Sequence, residues 1–274
     1  MTKQTMVLIV LFVFVLIRGL FIEPNTLEVT KYTVSDKYLH GVRVAFLSDF
    51  HLKRRDYKRL DKIINLTNRQ NPDLILLGGD FANNYVGGNT MTPDIMAQKL
   101  SLLNAPAYSV LGTSDWKVAD EKVQATSLGQ NEIAKALEKN GIKVLENQSK
   151  RIILKNRYVD IIGLADYNSR TINVGAAFRK TILPRLVLTH NPDAYYDITP
   201  NVSLIFAGHT HGGQFVLPFL RPLFVPSKYG AEFASGMTKS NKNQMVISKG
   251  LGTSIIPFRF NCKPEIVIID FVRK

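Results

Sequence analysis

Four apolar runs in this chain end alike, and that shared ending limits the fold more than any other feature. "VRVAFLSDFH" (Val42 to His51) closes on Asp49 and His51, and "PDLILLGGD" (Pro72 to Asp80) closes on Asp80. "RLVLTH" (Arg185 to His190) closes on His190, and "LIFAGHTH" (Leu204 to His211) closes on His209 and His211. A short run of branched apolar residues without polar alternation reads as a strand buried on both faces. Strands of this kind in open α/β sheets send the groups that follow them to one edge.

Polar, helix-periodic stretches separate these runs. Helices are expected over Arg55 to Arg69, over about Thr92 to Leu103 and over Asn131 to Asn140; Thr92 is placed to cap the second, with Pro93 at its first position. Leu27 to Val34 alternates as a half-buried strand does, and Pro106 to Asp115 reads as a strand followed by a loop. Strands then dominate, at Lys143 to Asn147, Arg151 to Leu154, Tyr158 to Gly163, Gln244 to Ser248 and Glu265 to Val272. No internal repeat or low-complexity linker interrupts the order. The pattern predicts an α/β four-layer sandwich, two packed mixed β-sheets flanked by helices.

The amino terminus differs in kind. Met6 to Ile22 is apolar except for Arg18 and Gly19, and its uninterrupted part, Met6 to Ile17, falls short of the roughly 20 residues of a full span. Arg18 is expected to snorkel to headgroups, with Phe21 and Ile22 in the interface. Only Lys3 precedes the segment as a basic residue and no small-residue cleavage site follows it, which favours an uncleaved membrane anchor over a signal peptide. The expected division is an anchor over residues 1–24 and one domain over residues 25–274. Lys3 and Arg18 flank the segment too evenly to set its direction.

Lysine and arginine number 35 against 22 aspartates and glutamates, a net charge of +13 that favours anionic partners. Lys53, Arg54, Arg55, Lys58 and Arg59 gather part of the surplus. With no RNA-recognition, zinc-finger or helix-turn-helix signature beside them, nucleic acid ranks behind lipid and phosphate. The single cysteine, Cys262, rules out internal disulfides and thiolate-rich zinc sites.

Of five histidines, only His40 does not follow a buried strand. Two aspartates and four imidazoles at equivalent strand ends suit Mn, Fe, Zn or Co, and they exceed what one tetrahedral ion takes. They suit two ions sharing a carboxylate.

The ordered set D-x-H (Asp49, His51), GGD (Asp80), a G-x-x-D loop, H-N-P-D (His190) and G-H-T-H-G-G-Q (Gly208 to Gln214) resembles the calcineurin-like metallophosphoesterases from about Val42 onward. "SKGLGTSIIPFRF" (Ser248 to Phe260) resembles their membrane-anchored bacterial branch, which includes enzymes similar to UDP-2,3-diacylglucosamine diphosphatases. The resemblance implies two divalent metal ions. Asp49, His51 and His211 would hold the first, Asp80 would bridge both, and His190 and His209 would hold the second. A shared hydroxide would then attack phosphorus in line. It also implies anchoring in the bacterial inner membrane and a phosphorylated or nucleotide-linked lipid as substrate.

One loop departs from that pattern. Where the family reads G-N-H-D this chain reads "GTSD" (Gly112 to Asp115): Thr113 takes the place of the metal-binding asparagine, and Ser114 that of the histidine that contacts the scissile phosphate. Ser114 and Asp115 are the catalytic candidates, Thr113 a metal candidate, and Arg259 and Lys228 candidate phosphate clamps. Loss of a general acid costs about 10²- to 10⁴-fold, less for a good leaving group such as a nucleoside monophosphate. "QFVLPFLRPLFVPSKYG" (Gln214 to Gly230) carries three prolines unsuited to a central strand and many large apolar residues, as expected of a loop that dips into lipid or holds acyl chains. The resulting expectation is a membrane-associated dinuclear phosphohydrolase; the alternatives are a degenerate member that binds a phosphorylated lipid and, last, a basic nuclease.

Overall fold

A computed structural model describes residues 2–82, 89–117, 131–169, 171–239 and 243–273. Helix α1 (Lys3–Ile17) runs without a break through a π turn (Arg18–Ile22) and a 3-10 turn (Glu23–Asn25). This 23-residue segment is long and apolar enough to cross a membrane. At 1.5 Å per residue it reaches roughly 35 Å, against about 30 Å of hydrocarbon.

The foot of that segment is part of the domain, and this changes the reading of Arg18. Instead of extending to headgroups, its guanidinium pairs with Glu23 at 2.7 Å, donates to Asn261 Oδ1 at 3.1 Å and lies over the Phe260 ring. Gly19 is pressed on the Phe258 ring with no room for a Cβ, and its carbonyl accepts from the Arg259 N–H at 2.9 Å. Contact with the domain therefore begins several residues before the expected boundary, while Phe21 and Ile22 stay exposed.

Sheet one has the order β1 (Glu28–Ser35), β12 (Glu265–Val272), β2 (Arg43–Leu47), β3 (Leu74–Leu77), β4 (Ala107–Ser109), β5 (Lys143–Val144). Strands β2 to β5 run parallel, and β12 lies antiparallel to β2. Sheet two has the order β10 (Gly236–Lys239), β11 (Gln244–Ile247), β9 (Leu204–Ala207), β8 (Arg185–Leu188), β7 (Arg157–Gly163), β6 (Gln148–Leu154). Its centre, β11-β9-β8-β7, is parallel, with an antiparallel strand at each edge.

Alternation within the strands sorts side chains between layers. Val44 and Phe46 of β2 enter the core between the sheets, where Phe46 meets Phe206 of β9 edge-on at 5.5 Å. Ala45 and Leu47 face out, under α2 (Tyr57–Asn68), α3 (Pro93–Leu100) and α4 (Glu132–Lys139). Helix α2 buries Leu60, Ile63, Ile64 and Thr67, the spacing of one helix face. Asn131 caps α4 by accepting from the Ala134 N–H, whereas Thr92 of α3 makes no side-chain cap, against expectation. The outer face of sheet two is covered by α5 (Val174–Ala177) and a 3-10 turn over Pro192–Asp197. Helix, sheet, sheet, helix is the expected four-layer sandwich.

Candidate active site

The carboxyl ends of β2, β3 and β4 meet those of β7, β8 and β9 at one rim. Backbone bonds tie neighbouring loops within each sheet, the Asp49 N–H to the Gly79 carbonyl at 2.9 Å and the Gly208 N–H to the His190 carbonyl at 2.8 Å, and the His209 N–H crosses between the sheets to Asp49 Oδ1 at 2.9 Å. All six strand-end groups named from the sequence assemble there. Donor atoms of Asp49, His51 and His211 lie within 4.8 Å of one another, as do those of Asp49, Asp80 and His190. Asp80 Oδ2 stands 3.4 Å from His51 Nε2 and 3.5 Å from His190 Nε2, between the two groups. His209 joins them through Nδ1, 3.2 Å from His190 Nε2.

The ring orientations fit cations. His51 Nδ1 lies 3.1 Å from the Ala82 carbonyl and His190 Nδ1 lies 2.8 Å from that of Gly78. Each Nδ1–H donates there, so each Nε2 faces the centre and in the neutral ring presents its lone pair to it. His51 Nε2 and His211 Nε2 face each other at 3.1 Å.

Charge points the same way. Burial raises the pKa of Asp49. Burial works on Asp80 too, but His190, His51 and His209 outweigh it and hold its carboxyl below the ordinary value. Burial would lower His190, yet Asp80 and then Asp49 push it up to about 9. Partial burial and then the charge of His190 lower His209 to about 4, and burial with His51 and Arg259 nearby holds His211 well below its usual value. Two buried carboxylates thus draw positive charge inward, while His209 and His211 offer neutral nitrogens. That is a donor set for divalent cations.

The loops pay for this convergence in backbone strain. Asp49, His51, Asp80, His209 and His211 all have positive φ, between 42° and 71°. Each such residue costs on the order of 1 kcal/mol or more, and clusters of them mark functional sites. Gly208 makes room: a Cβ there would collide with Ser48 and Asp49.

The GTSD loop does something other than expected. Asp115 is buried and accepts from the N–H groups of Asp80, Phe81, Ala82 and Gly112 at 2.8 to 3.1 Å, so it fastens two loops together. Burial and the Asp80 charge push it up to about 7 against those four donors. Ser114, buried as well, gives its N–H to Asp80 Oδ1 at 2.7 Å and its hydroxyl to Oδ2 at 3.0 Å, which orients Asp80. Thr113 donates its hydroxyl to Asp166 Oδ2 at 3.1 Å and accepts from Asn168 Nδ2 at 3.0 Å, so that hydroxyl is already engaged.

The clamps are also reassigned. Arg259 is fully buried; its guanidinium donates to the carbonyls of Gly252, Cys262 and Lys249 and lies 3.3 Å from His211 Nδ1. It braces the histidine from behind. Lys228 is exposed, bonded to the Tyr167 hydroxyl at 2.8 Å, on a polar cavity of about 520 Å³ shared with Asn168 and Asp197. A second cavity, of about 440 Å³, opens on Asp80, His209 and His211 and is walled by Phe215, Phe224, Ile255, Ile256 and Phe258. Asp166 and the Ile255–Phe258 wall were missed in the sequence. Asp166 follows a buried strand as the other acids do, and the same rule applied to β7 finds it.

Residues 42–213 match the family described as calcineurin-like phosphoesterase. The chain belongs to that family, and so to the metallophosphoesterases, hydrolases of phosphoester bonds. It is 30% identical over 233 residues to phosphodiesterase YaeI of Escherichia coli (strain K12), covering 84% of this chain and 82% of that protein. It is 25% identical to the UDP-2,3-diacylglucosamine pyrophosphatase LpxG of Chlamydia trachomatis, covering 90% of each. A transmembrane protein with metallophosphoesterase domain from Danio rerio is 27% identical, covering 84% of this chain and 53% of that protein.

Proposed function

We propose that this chain is a membrane-anchored phosphohydrolase that holds two divalent cations and cleaves a phosphodiester or pyrophosphate bond of a lipid-linked substrate. The observation that carries the reading is the apolar cavity opening directly on Asp80, His209 and His211. Ile255 and Ile256 of its wall are exposed, as are Phe219, Leu220 and Leu223 in the segment that leads to Phe224, and Phe258 of the wall carries Gly19 of the N-terminal segment. Acyl chains and a bilayer surface suit such a wall; a free nucleotide does not. A basic cavity lined by Arg55, Lys58, Arg59 and Lys62 lies at the foot of the same segment, beside Pro24 and Asn25, where anionic headgroups would sit.

Cations held at the rim supply Lewis acidity, acidifying water and offsetting charge on the phosphoryl oxygens. The protein's own part is to position: the Ala82 and Gly78 carbonyls fix His51 and His190, Ser114 fixes Asp80, and Arg259 braces His211. With Ser114 spent on Asp80, help for the leaving group is small, which favours pyrophosphates that release a nucleoside monophosphate. In the presence of Mn²⁺ the full chain is expected to cleave a nucleotide-linked diacyl glycolipid in mixed micelles. Ile256→Asp should lower kcat/KM on that lipid about tenfold while leaving a water-soluble phosphodiester unaffected. Failure to cleave either substrate sinks the hydrolytic reading.

The commitments of Thr113 and Ser114 favour one second reading, a family member that binds a phosphorylated lipid without efficient turnover. Restoring asparagine and histidine together, Thr113→Asn with Ser114→His, decides between them. A gain of orders of magnitude supports degeneration, and unchanged high activity rejects it.

A further inference from the structure

Asp166 lies three residues beyond β7, on the rim where the other strand-end acids gather. Only 3% of it is exposed, and its Oδ1 is buried without a hydrogen-bond partner. Its Oδ2 takes the Thr113 hydroxyl, and Thr113 follows Gly112, where a Cβ would strike both Asp80 Oδ1 and His190 Cε1. The Thr113 hydroxyl thus ties the Asp166 carboxylate to the loop that packs against Asp80 and His190. Its charge is felt at His190, and that of His190 at Asp166. Burying a carboxylate with one bare oxygen is costly unless a cation or a proton meets it.

Beyond the shared Asp49 and Asp80, Thr113 adds no free oxygen to the His190–His209 half, because its hydroxyl already donates to Asp166 and accepts from Asn168. We propose that Asp166 supplies the anionic oxygen donor for the cation held by His190 and His209, replacing the neutral amide of the family pattern. This rests on the two-cation reading above. A carboxylate in place of an amide adds one negative charge to that half, which tightens its hold on a divalent ion.

Full-length protein in detergent, stripped with chelator, is titrated with Mn²⁺ by calorimetry. Metal per chain is measured by mass spectrometry, and electron paramagnetic resonance distinguishes a coupled Mn²⁺ pair from isolated ions. The parent is expected to bind two ions as a coupled pair. Asp166→Asn keeps an acceptor for Thr113 and should weaken one ion about 10- to 100-fold and abolish the pair signal. An apo melting midpoint no lower than the parent's shows the fold intact; if this variant does not fold, Asp166→Ser carries the same expectation. Thr113→Ala should keep both ions. Two ions at parental affinity in the Asp166 variants overturn the inference, as does loss of the second ion in Thr113→Ala alone. A parent that binds one ion overturns it but leaves a hydrolase with a single cation, whereas a parent that binds none sinks the metal-dependent reading itself.

Discussion

The His51–His211 half of the centre and the His190–His209 half share Asp49 and Asp80 but differ in what stands behind them. His51 and His211 are both buried, the first held by the Ala82 carbonyl and the second backed by Arg259. In the other half His190 is buried and held by the Gly78 carbonyl, but His209 is half-buried; one histidine of each half, His209 and His211, lines the apolar cavity. The loop that should complete this half offers Thr113, whose hydroxyl belongs to Asp166 and Asn168. The more buried half keeps its motif residues, while the half with the more exposed histidine carries the substitutions. This asymmetry is expected where one half anchors a cation and the other meets the substrate.

The largest test strikes what the halves share. Asp80→Ala removes the carboxylate that stands 3.4 Å and 3.5 Å from the two imidazoles, and with it the acceptor of Ser114. Turnover should fall on the order of 10³-fold, and bound metal should drop in both halves rather than one. Loss of only one ion would mean that Asp49, common to both donor groups, is the true bridge.

Much of this was legible before any coordinates, and for a definite reason. A strand buried on both faces leaves an unbroken apolar run, so its polar ending stands out; Asp49, Asp80, His190, His209 and His211 were found that way. What escaped depends on three-dimensional partners that no local pattern records. Asp115 reads as a free acid, yet four N–H groups from two loops close on it. Arg259 reads as a phosphate clamp, yet four carbonyls hold it in the interior. The positive φ values of five rim residues come from loop closure across two sheets. Gly19 looks like a flaw in an apolar segment until Phe258 is seen lying on it.

Arg259→Met sharpens the comparison at the more buried half. The variant leaves the carbonyls of Gly252, Cys262 and Lys249 without a donor and removes the brace behind His211. Stability should fall by about 3 kcal/mol, read as a lower denaturant midpoint. In protein that still folds, the ion held with His51 and His211 should weaken before the other. Equal weakening of both ions would show that the brace serves the whole rim.

The smallest effect concerns two buried acids, one in the middle of β7 with a full set of partners and one just beyond its end without. Asp160 receives Arg151 in a two-pronged pair at 2.7 Å and 2.8 Å, together with the Ile182 N–H at 2.7 Å. Burial alone would raise its pKa, but the guanidinium and that N–H outweigh burial and hold it below the ordinary carboxylate value. Burial prevails at Asp166, whose pKa is raised. The signs for stability are therefore opposite. A depressed folded pKa contributes stability that is present above the ordinary value near 4 and is lost as pH falls through the folded value. Asp160→Asn should thus lower the melting midpoint by a few degrees at pH 7, with the gap closing below about pH 4. A gap that persists at pH 2 would assign the effect to lost packing in the middle of β7 and not to the ion pair.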